Sequence, residues 1–242
     1  MSTYHWLRKL IIPNVEYHQN VYAKALGAAI RPGISWLDLG AGSRVHGGWI
    51  GPLSQDLVAS ARILVGCDPE WRHLQQNSAL RYKVSSLGES SPFRPESFDL
   101  VSANMVLEHL ENPLGVFREI ARILRPGGIF VFVTPNRLHP AVALMAGVLA
   151  PQRRRQWANW LEPRRQLDHI FVTHYRANSE HSLSNLAHQA RVEVVRLETF
   201  RSWPMAAGFA PATAIECAFI ALCGTRPFRR FGSNLIGVLR KR

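Results

Sequence analysis

Short apolar runs alternate with amphipathic segments along the chain. Ile34-Ser35-Trp36-Leu37-Asp38-Leu39 reads as a strand and runs into Gly40-Ala41-Gly42. A helix is expected from about Leu53 to Ala61. The apolar run Arg62–Cys67 ends at Asp68-Pro69, where proline stops a strand and a helix can start. A weaker strand over Tyr82–Ser85 precedes a turn at Pro92–Ser97 and a strand over Phe98–Ser102. From Pro113 to Leu124 the apolar residues Leu114, Val116, Phe117, Ile120, Ala121 and Leu124 recur at helical spacing. Arg125-Pro126-Gly127-Gly128 breaks that helix, and Ile129–Val133 is a β-branched and aromatic run closing at Thr134-Pro135. Beyond it the spacing predicts an apolar helix over Leu138–Ala150, a helix over His181–Ala190, a strand over Val192–Phe200 and a last short strand over Asn234–Leu239. Strands alternating with helices predict an α/β fold with a mostly parallel sheet and helices on both faces. The continuously apolar strands suit burial on both sides.

Composition narrows the class. With 242 residues, 47% of them apolar and 19% charged, the chain has ample core and is not disordered. Cys67, Cys217 and Cys223 lie in apolar runs without CxxC spacing, which argues against a disulfide framework or zinc knuckle and for a reducing cytoplasm. No His/Cys/Asp/Glu grouping has ligand spacing, so no metal is expected. Asp168-His169 and His174 read as a polar lid loop. Near the N-terminus the only apolar run, Leu10–Ile12, is too short for a signal-peptide core.

The net charge of +12 is lopsided. Residues 1–136 carry 13 Lys/Arg against 11 Asp/Glu, and residues 137–242 carry 16 against 6. Such a basic C-terminal half attracts anions, whether nucleic acid, anionic lipid or a phosphorylated substrate. Arg153–Trp160 mixes arginine with tryptophan, which would suit RNA, a lipid headgroup boundary or an exposed cap helix. Pro204–Gly224 has the length of a membrane span. Pro211 and Glu216 interrupt it, so a buried or surface-lying element is expected instead.

The chemistry concentrates at Leu37-Asp38-Leu39-Gly40-Ala41-Gly42. Glycines after a strand let the backbone turn sharply and approach a ligand, a device shared by several nucleotide-binding folds. Val45 stands where a dinucleotide fingerprint has its third glycine, which argues against an NAD-dependent oxidoreductase. Asp38, inside the strand, suits a cationic ligand better than a pyrophosphate. Asp68, at the end of the second strand, can accept both hydroxyls of a ribose or cap the following helix. Asp99 reads as structural.

Taken together, WLDLGAG, VGCDPE, SPFRPESFDLVSANMVLEHLENP and REIARILRPGGIFVFVTPN resemble the class I S-adenosylmethionine-dependent methyltransferases, most closely the bacterial small-molecule group. The resemblance covers about residues 34–136, with weaker echoes at Thr173-His174-Tyr175-Arg176 and the terminal strand. It implies a Rossmann-like sheet of seven strands with an antiparallel last strand. One domain would span residues 1–242, with a cofactor-binding core over about 34–136 and a substrate cap and sheet-completing region over about 137–242. It further implies S-adenosylmethionine as cofactor, with Gly40 and Gly42 under its methionine part and Asp68 on the ribose; Asp38, Ala41 and Pro69 are further candidate cofactor-binding residues. Ser86 and Leu87 would flank the adenine, and Asn104 would lie beside the methionine. Leu87 replaces an Asp common in relatives, and Arg44 replaces the third small residue of the glycine loop. His109, in the loop after the fourth strand, is the candidate catalytic base, against a packing role.

The acceptor has no signature of its own. The Asn-Pro-Pro-Tyr tetrapeptide of many amide and adenine N-methylating enzymes is absent, and Ser102-Ala103-Asn104-Met105 stands there. The expectation is therefore O-methylation of a small molecule, lipid or glycan intermediate. The alternatives are a binding module that does not catalyse and an RNA methyltransferase. The location expected is cytoplasmic, with peripheral attachment to an anionic membrane through the basic third. The sequence leaves the oligomeric state open.

Overall fold

The computed structural model describes residues 3–43, 57–147, 172–205 and 210–242. Two helices open the chain, α1 (Thr3–Ile11) and α2 (His18–Ala29). Strands β1 (Ile34–Leu39), β2 (Ala61–Cys67), β3 (Tyr82–Val84), β4 (Phe98–Asn104) and β5 (Leu124–Pro135) follow, with α3 (Trp71–Gln76) and α4 (Pro113–Ile123) between them. Then come α5 (Pro140–Gly147), α6 (Glu180–Gln189), β6 (Val192–Phe200), α7 (Ala210–Leu222) and β7 (Asn234–Lys241).

The strands form one seven-stranded sheet in the order β3-β2-β1-β4-β5-β7-β6. Pairings through β5 are parallel, and β7 runs antiparallel to both β5 and β6. The sheet is therefore the mostly parallel one that the alternation predicts. All six residues of β1 are buried, as expected for a strand covered on both faces.

Three expectations shift in detail. The helix predicted over Leu53–Ala61 falls partly outside the described residues; residues 57–60 are helical, and Ala61 already belongs to β2. Arg125–Gly128 does not separate helix from strand. The chain extends at Leu124, which pairs with Phe98, and an irregularity at Gly127 (φ +79) precedes the regular register from Ile129. Positive φ there is what glycine permits. The helix predicted over Leu138–Ala150 is described as Pro140–Gly147, and Arg153–Trp160 lies outside the described residues.

Asp99 is structural, as expected. At the amino end of β4 it accepts from the Ser35 backbone N–H (2.8 Å) and from Arg125 Nη1 (2.7 and 2.6 Å), stapling the amino ends of β1, β4 and β5. Partial burial pushes its carboxyl up, but the Arg125 guanidinium and the Ser35 N–H outweigh that and hold it below the ordinary carboxylate range.

One side of the sheet packs on α4 and α6. Phe117 meets Phe130 edge-on at 5.8 Å, and Phe130 lies 5.0 Å from Phe132. Phe132 faces Gly237 across the β5–β7 pair. A Cβ on Gly237 would come within 2.1 Å of Phe132 Cζ, and that ring is fully buried and has nowhere to retreat. Gly237→Ala is therefore expected to destabilise the fold by about 1–3 kcal/mol, the usual cost of overpacking. A lower urea midpoint at unchanged slope would be the readout, and an unchanged midpoint would refute the packing account.

Candidate functional site

The carboxyl ends of β1, β2 and β4 converge on one glycine turn. Gly40 (φ +68) leaves β1 with its N–H bonded to the Cys67 carbonyl at 2.7 Å, and Val106 packs where its Cβ would be. Conformation and crowding both demand glycine there. Gly42 (φ +48) differs, because among the described residues a Cβ there would meet nothing within 4 Å. Asn77, buried after α3, holds the turn from behind by donating to the carbonyls of Ala41 (3.2 Å) and Gly42 (3.4 Å).

Asp68 clasps this turn to β2. Its Oδ2 accepts from the Gly42 N–H at 2.9 Å and its Oδ1 from the Glu70 N–H at 2.8 Å. It is not the cap of α3; that position is Glu70. Burial raises the Asp68 carboxyl, and the two backbone N–H groups restrain the rise. Each oxygen keeps a further lone pair for a ligand hydroxyl. Pro69 follows, exposed.

Asp38 lies deeper, beside Ser102 in the β1–β4 register. The Ser102 hydroxyl donates to Asp38 Oδ1 at 2.6 Å and accepts from the Trp36 indole N–H at 2.7 Å. Tyr22, buried on α2, sits beside the same pair, and burial pushes its phenol well up. Among the described residues no cation pairs with Asp38. Burial drives its carboxyl up to about 7, opposed by the Ser102 hydrogen bond and aided by the Asp68 charge.

At the tip of β4, Asn104 and Gln19 of α2 exchange two amide hydrogen bonds, at 3.1 and 2.7 Å. The next residue, Met105, has φ 54, a conformation that non-glycine residues hold only where the surroundings impose it.

A 3₁₀ turn, Leu107–His109, continues along this edge. His109 Nδ1 lies 2.8 Å from the Val172 carbonyl. A carbonyl only accepts, so Nδ1 carries the proton and a neutral ring has its lone pair on Nε2. Nε2 is 3.9 Å from Oε1 of buried Glu108. Glu108 Oε2 accepts from the Thr134 hydroxyl at 3.0 Å, which in turn accepts from the Asn178 amide at 2.7 Å. The Glu108 carbonyl accepts from the N–H groups of His174 and Tyr175. The 172–178 segment is thereby laced to the loop bearing His109.

Ser86 is tied to the end of β2 by the Cys67 thiol, 3.6 Å from its carbonyl, and Leu87 beside it is exposed. The structure therefore gathers Asp38, Gly40, Ala41, Gly42, Asp68, Pro69, Ser86 and Asn104 on the carboxyl edge of the sheet, with His109 on that edge after β4. Arg44, Val45, Asp168 and His169 lie outside the described residues. Glu108 adjoins His109 in the Leu107-Glu108-His109 run, a signal that the sequence carries. Gln19, Tyr22, Asn77, Ser102, Thr134 and Asn178 carry no motif of their own.

A parallel sheet with an antiparallel seventh strand, a glycine turn after β1 and acids at the ends of β1 and β2 define a class I S-adenosylmethionine-dependent methyltransferase. A methyltransferase-domain family model matches residues 14–197, and the chain belongs to that family. An S-adenosylmethionine-dependent methyltransferase of Mesorhizobium loti shares the fold at TM-score 0.54 and 18% identity, over 90% of this chain and 96% of that one. A ubiquinone biosynthesis O-methyltransferase of Xanthomonas campestris is 34% identical over 92 residues, which are 38% of this chain and 35% of that protein. One from Hahella chejuensis is 27% identical over 150 residues, 56% of this chain and 60% of that protein. The chain thus spans between a third and three fifths of these relatives' lengths. S-adenosylmethionine is the cofactor. Among the described residues nothing crowds Gly42 and no cation lies beside the buried Asp38 carboxylate, an arrangement that fits a cationic nucleoside ligand.

The Asp38 environment sets a sign for stability. Its folded-state value of about 7 exceeds the ordinary unfolded carboxylate value of roughly 4. Between these, the unfolded chain releases a proton that the native state keeps, so stability falls as pH rises from about 4 to about 7. His18 and His139, both lowered to about 4 by burial, tilt the other way over part of that range. The contribution of Asp38 is therefore read as a difference. The wild type without cofactor is expected to lose more stability than Asp38→Asn between pH 5 and pH 7 in urea titrations, and parallel profiles would sink the assignment.

Proposed function

We propose that the protein methylates a hydroxyl oxygen of a small-molecule or lipid-linked acceptor, with His109 as general base. The observation that carries this reading is the His109 ring held by the Val172 carbonyl, which leaves the lone pair on Nε2 beside a buried carboxylate. The bound cofactor supplies an electrophilic methyl group, so the protein has to align the acceptor and exclude water. A hydroxyl is a weak acid and gains from a base, whereas an amine does not need one. His109 Nε2 takes the hydroxyl proton, and Glu108, 3.9 Å away, stabilises the imidazolium so formed. The names of the relatives favour this class of acceptor, since those from Xanthomonas campestris and Hahella chejuensis are both O-methyltransferases of ubiquinone biosynthesis. The basic balance of residues 137–242 favours an acceptor presented at an anionic surface.

The cofactor-side roles follow the same geometry. Asp38 takes the ammonium of the methionine part and the second lone pairs of Asp68 take the ribose hydroxyls. Pro69 lines the ribose, and Gly40, Ala41 and Gly42 admit the methionine part at the turn. Ser86 and the exposed Leu87 flank the adenine. Asn104, paired with Gln19, borders the methionine.

Two measurements test these roles. His109→Ala should reduce turnover roughly 10²–10⁴-fold while leaving cofactor affinity within a few fold; a loss below about threefold would return His109 to packing. The acceptor for that assay comes from profiling metabolites and lipids with a labelled methyl donor. For Asp38, binding of S-adenosylhomocysteine at pH 6 should release close to one proton, because a cation selects the ionised carboxyl. Calorimetry in buffers of different ionisation enthalpy reads this directly, and equal proton release by Asp38→Asn would remove Asp38 from the ammonium site.

A further inference from the structure

Helices α1 and α7 pack on each other and leave their outer faces to solvent. The inner face of α1 is fastened. The Tyr4 hydroxyl donates to the Pro204 carbonyl at 3.1 Å, and the Arg8 guanidinium lies 4.0 Å over the Trp203 ring. In α7 the stripe Thr213, Glu216, Cys217 and Ile220 is buried. The opposite stripe, Pro211, Ile215, Ala218 and Leu222, is exposed and wholly apolar, with Ile215 at 72%. A helix at an ordinary protein surface carries polar residues there. On α1, Trp6 and Leu10 are four residues apart and 56% and 63% exposed.

Cations border these apolar residues. Lys9 is exposed on α1, and the 3₁₀ turn directly after α7, Arg226–Phe231, exposes Arg226, Phe228, Arg229 and Arg230. Helix α1 contains no carboxylate. The single carboxylate of α7, Glu216, is buried and accepts from the Met205 N–H at 3.0 Å. Glu180 and Glu198 share a cleft with Arg229 and Arg230; Glu180 is engaged by Thr199, and Glu198 by Arg196.

We propose that the α1–α7 face, with the Arg226–Phe231 turn, is a docking surface for an anionic lipid bilayer. Apolar side chains rimmed by arginine are what an interfacial element presents to headgroups. Helix α7 has 13 residues and is about 20 Å long, short of the roughly 30 Å hydrocarbon core, so it lies in the interface and does not span it. A second copy of the chain fits less well, because a symmetric pairing would bring the cationic rims together. Phe219 of α7 meets the His139 ring, just past the end of β5, at 5.5 Å. The face therefore adjoins the carboxyl edge that carries the site. Docking rests on this face alone and holds whatever the acceptor is.

Co-sedimentation with vesicles tests it. The full chain should pellet with mixed phosphatidylglycerol and phosphatidylcholine at low salt, stay in solution with phosphatidylcholine alone, and be released by raised salt. Ile215→Glu with Leu222→Glu should weaken binding at least tenfold. Arg226→Gln and Arg229→Gln should each weaken it about fivefold, the equivalent of roughly 1 kcal/mol per cation. All four sites are exposed, and unchanged S-adenosylhomocysteine binding would certify both the fold and the cofactor site independently of docking. Failure of the wild type to pellet with anionic vesicles would overturn the proposal, as would variants that bind like the wild type. A dimer in sedimentation equilibrium that Ile215→Glu dissolves would assign the face to a second copy and overturn it equally.

Discussion

A carboxylate in the middle of a parallel sheet is the constraint around which the site is built. Asp38 is buried on β1 with the Ser102 hydroxyl of β4 as its partner, and that hydroxyl is itself fixed by the Trp36 indole. Removing a carboxylate from water without a cation is costly, and the protein meets part of that cost by keeping the proton. The position is sustained because β2 and β4 are locked on either side of it by the sheet register, at Gly66 and Ser102. A ligand that brings positive charge would relieve what the described residues leave uncompensated, and its binding would then release the proton.

The same edge holds other costly groups. Met105 turns at positive φ, and among the described residues the buried Asn178 Oδ1 and both ring nitrogens of His139 find no hydrogen-bond partner. Asp68 spends one acceptor position on each of two backbone N–H groups to hold the turn that would receive the ligand. Such groups collect where a site has to be rigid before its ligand arrives.

What could be read from the chain follows the range of the interactions. Strand β1 and strand β6 fall where the sequence puts them, because burial on both faces or alternation next to turn residues is a local signal. The glycine turn and the acids at Asp38 and Asp68 were legible for the same reason. Gln19 with Asn104, or Thr134 with Glu108 and Asn178, was not. Their partners lie 26 to 85 residues apart, and a lone amide or hydroxyl in a helix or strand has no periodicity to betray its contact. The extension of β5 back to Leu124 was missed because a Pro-Gly-Gly segment reads as a break. Here Gly127 absorbs the irregularity and pairing begins ahead of it. In Pro204–Gly224 the apolar content was visible but its division was not. Packing against α1, Ile12, Val15 and Trp203 decides which half of α7 is core and which half meets solvent.

The two ends of the sheet divide the work between stability and function. At the amino ends Asp99 binds Ser35 and Arg125, and nearby Glu119 binds Arg122 and Ser91, so charges are paired at short range and close the turns. At the carboxyl ends Asp38 keeps its carboxylate away from any cation of the described residues. Charge pairing there would satisfy the fold and fill the place of the ligand. A parallel sheet makes this separation possible, since its strands deliver all their carboxyl ends to one edge. That edge can remain under-compensated only while the opposite edge and the Phe117–Phe130–Phe132 layer hold the strands in register.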